Sequence, residues 1–335
     1  MIKLPPLLSM VLDNVHYISS ALFSCQLKFM NFIDFYAVQV YHECMRKVIE
    51  GYMPFLKYRT YYRIVKGGVR TPIVLLHGGP GSTHNYFELL DSIADTGRDV
   101  IMYDQLGCGN SYVDHRPDLW NQDTWLDELE ALRNHLKLQE VILLGQSWGG
   151  MLAIMYVLDR KPAGVKGLVL SSTLSSASLW SKEQHRNIAM MSPEDQQAIA
   201  CAERSGNWNT PEAITAVDHF MKRHCADIQD DDPECLRREK KSGSESYLIG
   251  WGPNEFTPEG TLRNYEYTSR LHEIHVPTLI VSGTDDLSTP LVAKTMYDRI
   301  PDSRWELFAG ARHMCFAEQN DHYIAILTNF LDDIG

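Results

Sequence analysis

Ser147 lies in a stretch whose residue types could support nucleophilic chemistry. It is the central residue of the motif GQSWGG at positions 145–150, which contains the pattern G-x-S-x-G. The apolar run 141–144 before the motif predicts a buried strand, and the largely apolar segment 151–158 after it predicts a helix. A sharp strand-to-helix turn of this kind holds a serine hydroxyl exposed at the edge of a sheet, where it can act as a nucleophile.

A serine hydroxyl needs an adjacent base, and the base needs a carboxylate that orients it. His313 follows a predicted strand at 305–308 and is the candidate base. Asp286 follows a predicted strand at 277–283 and is the candidate acid, with its neighbour Asp285 as the alternative. We therefore expect Ser147, Asp286 and His313 to form a catalytic triad.

The same chemistry requires hydrogen-bond donors for the oxyanion of a tetrahedral intermediate. One expected donor is the backbone N–H of Trp148, the residue after the nucleophile. The other is the backbone N–H of Gly79, in the glycine-rich loop HGGPG at 77–81 that follows an early predicted strand.

The elements that must position these residues alternate along the chain. Predicted strands at 100–103 and 167–170 surround a predicted helix at 122–136 and the serine turn. Two earlier candidate strands, 61–65 and 73–76, are separated by a glycine turn. This alternation, with the order serine, aspartate, histidine, predicts an α/β-hydrolase fold: a mostly parallel sheet with helices on both faces.

The alternation stops in one long segment, and this defines the predicted domain organisation. Residues 45–175 and 265–335 are expected to form the α/β-hydrolase core. Residues 176–264 are polar and punctuated by prolines, and they are expected to form an inserted helical cap. Residues 1–44 are an N-terminal extension with three possible origins: an extra amphipathic segment, a membrane-associating segment, or translated upstream sequence ahead of a true start at Met45. The last origin is favoured.

The composition restricts the classes of partner. A formal net charge of −12 argues against nucleic acid and against an anionic membrane surface as partners. The seven cysteines include no C-x-x-C pair, which favours reduced thiols in the cytoplasm, although a bridge between Cys225 and Cys235 stays open. No metal ligand pattern is predicted, and no oligomeric state follows from the sequence.

Three motifs together carry a resemblance to a known family. The chain contains HGGPG at 77–81, YDQLGCGNS at 103–111 and GQSWGG at 145–150. In this combination it resembles the proline iminopeptidases, in the bacterial branch that includes the tricorn-interacting and lactic-acid-bacterial enzymes. The resemblance implies a serine aminopeptidase that releases an N-terminal residue, preferentially proline, from small peptides without a metal or organic cofactor.

The resemblance also suggests how the substrate is recognised. Glu255 lies in the segment GPNEF at 252–256, which is similar to a family segment whose glutamate binds the free amino group of the substrate. The tricorn-interacting relative has a second amine-binding glutamate where this chain has Leu287. The amine site would then either hold fewer negative charges or take a second one from elsewhere, such as Glu245 or Asp104.

Aromatic residues near the expected site could shape an apolar pocket for a proline ring, or could equally belong to the core. These residues are Tyr86, Phe87, Trp148, Trp251 and Phe256.

Two other functions use the same features. An amino-acid amidase or broad esterase would share the Ser-His-Asp machinery and differ only in the cap. A non-catalytic binding protein with this fold would be expected to lack part of the catalytic set, which this chain retains. Epoxide hydrolases and dehalogenases are disfavoured, because they carry aspartate where this chain has Ser147.

Overall fold

An eight-stranded β-sheet forms the centre of the molecule. The structure is a computed structural model and describes residues 46–335, so the predictions for residues 1–44 lie outside the described residues. The strands are β1 (Val48–Phe55), β2 (Tyr58–Val65), β3 (Arg70–Leu76), β4 (Arg98–Tyr103), β5 (Val141–Gln146), β6 (Val165–Ser171), β7 (Thr278–Gly283) and β8 (Ser303–Phe308).

The strand order places the site-forming loops at one edge of this sheet. The order is β1-β2-β4-β3-β5-β6-β7-β8, with β1, β2 and β4 paired antiparallel and all later pairs parallel. The glycine turn after Val65 joins β2 to β3, yet these strands are not neighbours, because β4 pairs with both. Since parallel strands end at the same edge, the loops after β3, β5, β7 and β8 converge there.

Helices cover both faces of the sheet. The helices of the core are a 3₁₀ helix at His84–Thr96 and α-helices at Gln122–His135, Trp148–Met155, Pro290–Tyr297, Cys315–Glu318 and Asn320–Asp333. Short 3₁₀ helices lie at Gly109–Ser111, Pro117–Leu119 and Thr268–Glu273, and a π-helical turn at Tyr156–Arg160 extends the helix after Ser147. No helix within residues 46–335 is both long and apolar enough to cross a membrane.

A run of helices without strands separates β6 from β7. These helices are Ala177–Ile188, Pro193–Ser205, Pro211–His224, Glu234–Arg237 and Ser244–Gly250. Pro193 and Pro211 each occupy the first turn of a helix, where the missing N–H costs nothing, which explains the proline punctuation of this segment. An isolated bridge between Ser176 and Glu266 brings the entry and exit of the segment together.

Alternate side chains of the central strands fill two separate hydrophobic cores. On β3, Val74 and Leu76 belong to the core that contains Trp148, whereas Ile73 and Leu75 belong to the core on the other face. This is the two-residue periodicity of a strand that is buried on both sides. All residues of β5 are buried, so the strand that carries the serine is fixed by packing on both faces.

Candidate active site

The backbone at Ser147 is held in a rarely occupied conformation. Ser147 lies between β5 and the helix Trp148–Met155, with φ of 55° and ψ of −123°. A Cβ atom on Gly145 would lie 2.2 Å from the carbonyl oxygen of Gly149, and one on Gly149 would lie 1.9 Å from that of Leu76. Both glycines are therefore required for the close approach of strand and helix, as the motif predicts.

Asp286 and His313 meet at the sheet edge beside this turn. The carboxylate of Asp286 accepts a 2.7 Å hydrogen bond from Nδ1 of His313 and one of the same length from Oγ of Ser172. It also accepts hydrogen bonds from the backbone N–H groups of Gly283 at 3.1 Å and Ser288 at 2.8 Å. Because an ionised carboxylate only accepts, this geometry places the proton of the imidazole on Nδ1 and leaves Nε2 as the base.

The structure brings His313 to Asp286 and not to the alternative, Asp285. The side chain of Asp285 is exposed, and its backbone carbonyl accepts a 2.8 Å hydrogen bond from Nδ1 of His224. Nε2 of His313 is buried and forms no hydrogen bond with any residue in 46–335, including Ser147. Ser147 and His313 line the same cavity, and contacts of this kind often tighten only when substrate binds.

The two residues expected to donate to an oxyanion both lie next to Ser147: Trp148 follows it directly, and Gly79 lines the same cavity. Trp148 is the first residue of its helix, so its N–H has no acceptor within the helix. In the glycine-rich loop, the N–H of Gly78 donates to the hydroxyl of Tyr86 at 2.6 Å, while Gly79 lines the cavity. The hydroxyl of Tyr86 also donates to the side chain of Gln146 at 3.0 Å, which ties this loop to the serine turn.

A cavity of about 590 Å³ opens above the serine, within the usual size range for small-molecule sites. Its floor is formed by the core, through Ser147, His313 and the loop 78–82. Its walls include residues of the helical segment 177–250 and the loop that follows it, among them Tyr247 and Glu255. The segment that the sequence predicts to be a cap therefore contributes walls to the cavity.

Glu255 projects a carboxylate into this cavity. It is half-buried, and its Oε1 accepts a 2.8 Å hydrogen bond from the hydroxyl of Tyr247. Burial raises the pKa of Glu255, while the nearby His313 and the hydrogen bond from Tyr247 oppose this shift. Glu255 is the one acidic residue among the described residues that line the cavity.

Most of the aromatic residues proposed for the pocket belong to the core instead. Tyr86 lines the cavity, but Phe87, Trp251 and Phe256 do not. Phe87 packs in the hydrophobic core beneath His84–Thr96, and Phe256 packs against Phe220 with ring centroids 5.2 Å apart. Large apolar rings gain most from complete burial in a packed core, which is the physical reason for this correction.

The indole of Trp148 is also removed from the pocket. It is buried, and its N–H donates to the side chain of Gln105 at 2.8 Å. Its ring packs edge-on against Trp125, with centroids 4.7 Å apart. Only the backbone of Trp148 remains available to a substrate.

Neither acid suggested as a replacement for the missing second glutamate reaches the cavity. Glu245 accepts hydrogen bonds from the backbone of His115 and Arg116 and from the indole of Trp120, so it holds a loop. Asp104 is buried and accepts hydrogen bonds from the ring and the backbone N–H of His84.

Leu287 does not face the cavity either. Its side chain is fully buried, and its carbonyl accepts a 2.7 Å hydrogen bond from Gln184. The described part of the chain therefore offers a single carboxylate, that of Glu255, as the candidate group for a substrate amine.

Some residues at the cavity carry no sequence signal. Lys240 and Cys225 line it, and Tyr247 holds Glu255 in place. Each occurs in a polar segment without a motif, so only the folded arrangement identifies it. Cys225 and Cys235 are both free thiols, which closes the question of a bridge between them.

No group of three or more His, Cys, Asp or Glu side chains in residues 46–335 is arranged to hold a metal ion.

Comparisons with known proteins agree with this geometry. A sequence profile described as the alpha/beta hydrolase fold matches residues 71–319. A protein of Clostridioides difficile (strain 630) named "Proline iminopeptidase" is 58% identical over 289 residues, which cover 85% of this chain and 99% of the relative. The chain belongs to the proline iminopeptidase family of α/β hydrolases.

Two solved structures share the architecture. The structure titled "Crystal structure of Proline iminopeptidase Mycobacterium smegmatis" is 30% identical, with a TM-score of 0.75, and covers 85% of this chain and 98% of its own. The structure titled "Crystal structure of VinJ" is 33% identical, with a TM-score of 0.78, over 86% of this chain and 99% of its own. The predictions of an α/β-hydrolase fold and of a hydrolase of the proline iminopeptidase family are thus confirmed.

Proposed function

We propose that this hydrolase is a serine aminopeptidase that releases the N-terminal residue, preferentially proline, from short peptides. The observation that carries the proposal is the single carboxylate, Glu255, in the cavity that also contains Ser147 and His313. The 58% identity to a protein named proline iminopeptidase supports the preference for proline.

Glu255 supplies the recognition of the free amino terminus. The hydroxyl of Tyr247 occupies one lone pair of Oε1, which orients the carboxylate and leaves Oε2 for the ammonium of the substrate. A charge-assisted hydrogen bond of this kind favours a charged amine over an amide nitrogen. Peptides with a blocked N-terminus therefore lose the main polar contact in the cavity.

Ser147 performs the chemistry with His313 and Asp286. Nε2 of His313 accepts the proton of the serine hydroxyl as Oγ attacks the carbonyl carbon of the first residue. The N–H groups of Gly79 and Trp148 stabilise the oxyanion. The imidazolium then donates its proton to the leaving nitrogen, the C–N bond breaks, and the first residue remains as an ester on Ser147.

Water completes the reaction. Nε2 of His313 accepts a proton from the water that attacks the ester, and the second tetrahedral intermediate collapses to release the free amino acid. The proton on His313 returns to the oxygen of Ser147. Throughout, Asp286 orients and stabilises the imidazolium, and four hydrogen-bond donors hold its carboxylate in place.

The cap limits the size of the substrate. A cavity of about 590 Å³ that is walled by helices accommodates a short peptide and excludes a folded protein.

The cysteines bear on the compartment of the protein. The free thiols of the described chain, including the buried Cys108 and Cys315, fit a reducing cytoplasm.

The experiment that tests this proposal compares Glu255→Gln with the parent enzyme on two substrates. Loss of a hydrogen bond to a charged group costs about 1.5–3 kcal/mol, so kcat/KM for prolyl anilide should fall about tenfold to 150-fold. Turnover of a small acetate ester, which has no amine, should fall by less than about threefold.

Glu259→Gln is the matched control, because Glu259 is an exposed acid on the same loop and does not line the cavity. It should leave both rates at the parental level. An equal loss on the anilide and the ester in Glu255→Gln would assign Glu255 a structural role. It would then favour the amidase or esterase alternative.

A further inference from the structure

The active-site cavity contains two opposite charges that do not pair with each other. Glu255 and Lys240 both line it, and no ion pair joins them within the described residues. Glu255 lies beside Tyr247 and near His313. Lys240 lies beside Tyr86, with its ammonium nitrogen 5.7 Å from the centre of the ring. The cavity therefore has a negative region near the base and a positive region near Tyr86.

The ammonium of Lys240 has no anionic partner. Within residues 46–335 it forms no hydrogen bond or ion pair, and it lies over the ring of Tyr86. Lys240 is only partly exposed, and burial lowers the pKa of its ammonium. Asp104, the acid that acts on it electrostatically, is already bonded to His84 and to the backbone of Asn110. A partly buried ammonium without a partner is costly, and an anion from outside would remove that cost.

The backbone around Lys240 is fixed to the core. The N–H of Gly109 donates to the carbonyl of Lys241 at 2.7 Å, and the N–H of Gly243 donates to the carbonyl of Gly81 at 2.7 Å. The second bond links this part of the cap directly to the glycine-rich loop that contains Gly79. Lys240 is therefore held at a defined position relative to the oxyanion donors, as a binding group must be.

From this arrangement we propose that Lys240 binds the C-terminal carboxylate of short peptide substrates, on the leaving-group side of the scissile bond. The inference rests on the proposed aminopeptidase function, in which Glu255 holds the opposite end of the peptide. A peptide that spans both groups presents an ammonium to Glu255 and a carboxylate to Lys240. The enzyme then selects unblocked short peptides, because each added residue extends the chain by about 3.3–3.6 Å and carries the carboxylate past Lys240.

The test measures a selectivity ratio, the kcat/KM for prolyl-alanine divided by that for prolyl-alanine amide. The parent enzyme should prefer the free acid about tenfold or more, as a charge-assisted hydrogen bond provides. Lys240→Met should bring the ratio to about one, and Lys240→Arg should restore most of it, because arginine keeps the charge. Prolyl-glutamyl amide, whose carboxylate is on the side chain, should behave like the neutral amide if Lys240 reads the main-chain terminus.

Lys241→Met is the matched control. Lys241 is the exposed neighbour, does not line the cavity, and places its ammonium 3.4 Å from the ring centre of Tyr112. It should keep the parental ratio. A ratio of about one in the parent enzyme would overturn the inference. A preference of the parent for the free acid that Lys240→Met retains would also overturn it. Because the parent's ratio is measured without any substitution, misfolding of a variant cannot hide the result.

Prolyl anilide separates the two proposals, because it has a free amine and no carboxylate. If the parent cleaves it and yet shows no preference for the free acid, the role of Lys240 fails and the aminopeptidase function stands. If the parent cleaves neither the anilide nor the prolyl peptides, the proposed function itself fails.

Discussion

The strained backbone at Ser147 leads to a prediction about stability that is opposite in sign to the usual effect of glycine. We compare Ser147→Gly with Ser147→Ala, because both remove the hydroxyl and differ only in the Cβ atom. The serine has φ of 55° and ψ of −123°, a conformation that costs a residue with a Cβ about 1–3 kcal/mol. Glycine adopts it without this cost.

The backbone at this position is held by its neighbours, so the strain cannot relax in the alanine variant. The N–H of Ser147 donates to the carbonyl of Ser171 at 3.0 Å, and its carbonyl accepts from Oγ1 of Thr173 at 2.6 Å. Glycine also increases the entropy of the unfolded chain, which costs about 0.4–1 kcal/mol. The difference between these two costs predicts that Ser147→Gly is at least as stable as Ser147→Ala, and more stable by up to about 2.6 kcal/mol.

Equilibrium unfolding in urea, followed by tryptophan fluorescence, measures this difference. Both variants should be inactive on prolyl anilide, which confirms that each has lost the nucleophile. If Ser147→Gly is less stable than Ser147→Ala by about 0.5 kcal/mol or more, glycine shows only its ordinary penalty. The conclusion that the serine turn stores strain would then be refuted.

Two further predictions concern buried carboxylates. Asp286→Asn should lower kcat on prolyl anilide about 10⁴-fold, because an amide N–H facing His313 stabilises the wrong tautomer; a loss below tenfold in a folded variant would contradict the role of Asp286. The pKa of Glu128 is raised to about 7 by burial, despite hydrogen bonds from Thr60 and Leu106. The folded state therefore holds a proton that the unfolded state has released above its ordinary pKa of 4.5, so the free energy of unfolding falls as pH rises between these values, by about 3 kcal/mol. Glu128→Gln should remove this loss. In urea unfolding, the free energy of unfolding of the variant relative to that of the parent should therefore be higher at pH 8 than at pH 5. The same relative value at both pH values would contradict the assignment.

The parts of the fold that the sequence predicts are those set by local pattern. The apolar run before Ser147 and the glycines around it fix a strand, a turn and a helix within about fifteen residues, and the structure has all three. The loops that contain Asp286 and His313 follow strands, and the structure brings the two side chains to 2.7 Å. In each case the information lies within one short segment.

What the sequence does not predict depends on pairing between distant segments. The insertion of β4 between β2 and β3 depends on which strand edges remain free after the other strands have paired. Phe87 and Phe256 could line a pocket or fill a core by composition alone, and only packing against Phe316 and Phe220 decides for the core.

The polar residues of the cavity show the same limit. Glu245 and Asp104 have the charge that an amine site needs. Their carboxylates, however, already accept hydrogen bonds from backbone N–H groups of distant segments. Lys240 has no motif at all, and its position follows from hydrogen bonds between the cap and two core loops. A candidate charged residue can be named from the sequence, but whether its side chain can contact a substrate depends on the folded structure.

The central claim is that a serine nucleophile acts on peptides whose free amino terminus is read in the cavity. The most direct measurement compares kcat/KM for prolyl, alanyl and leucyl anilides, each with a free and with an acetylated amine, using Ser147→Ala as the control. The account predicts the highest value for free prolyl anilide, no turnover of the acetylated compounds, and none by Ser147→Ala. Comparable turnover of free and acetylated anilides would contradict it and identify a broad amidase or esterase.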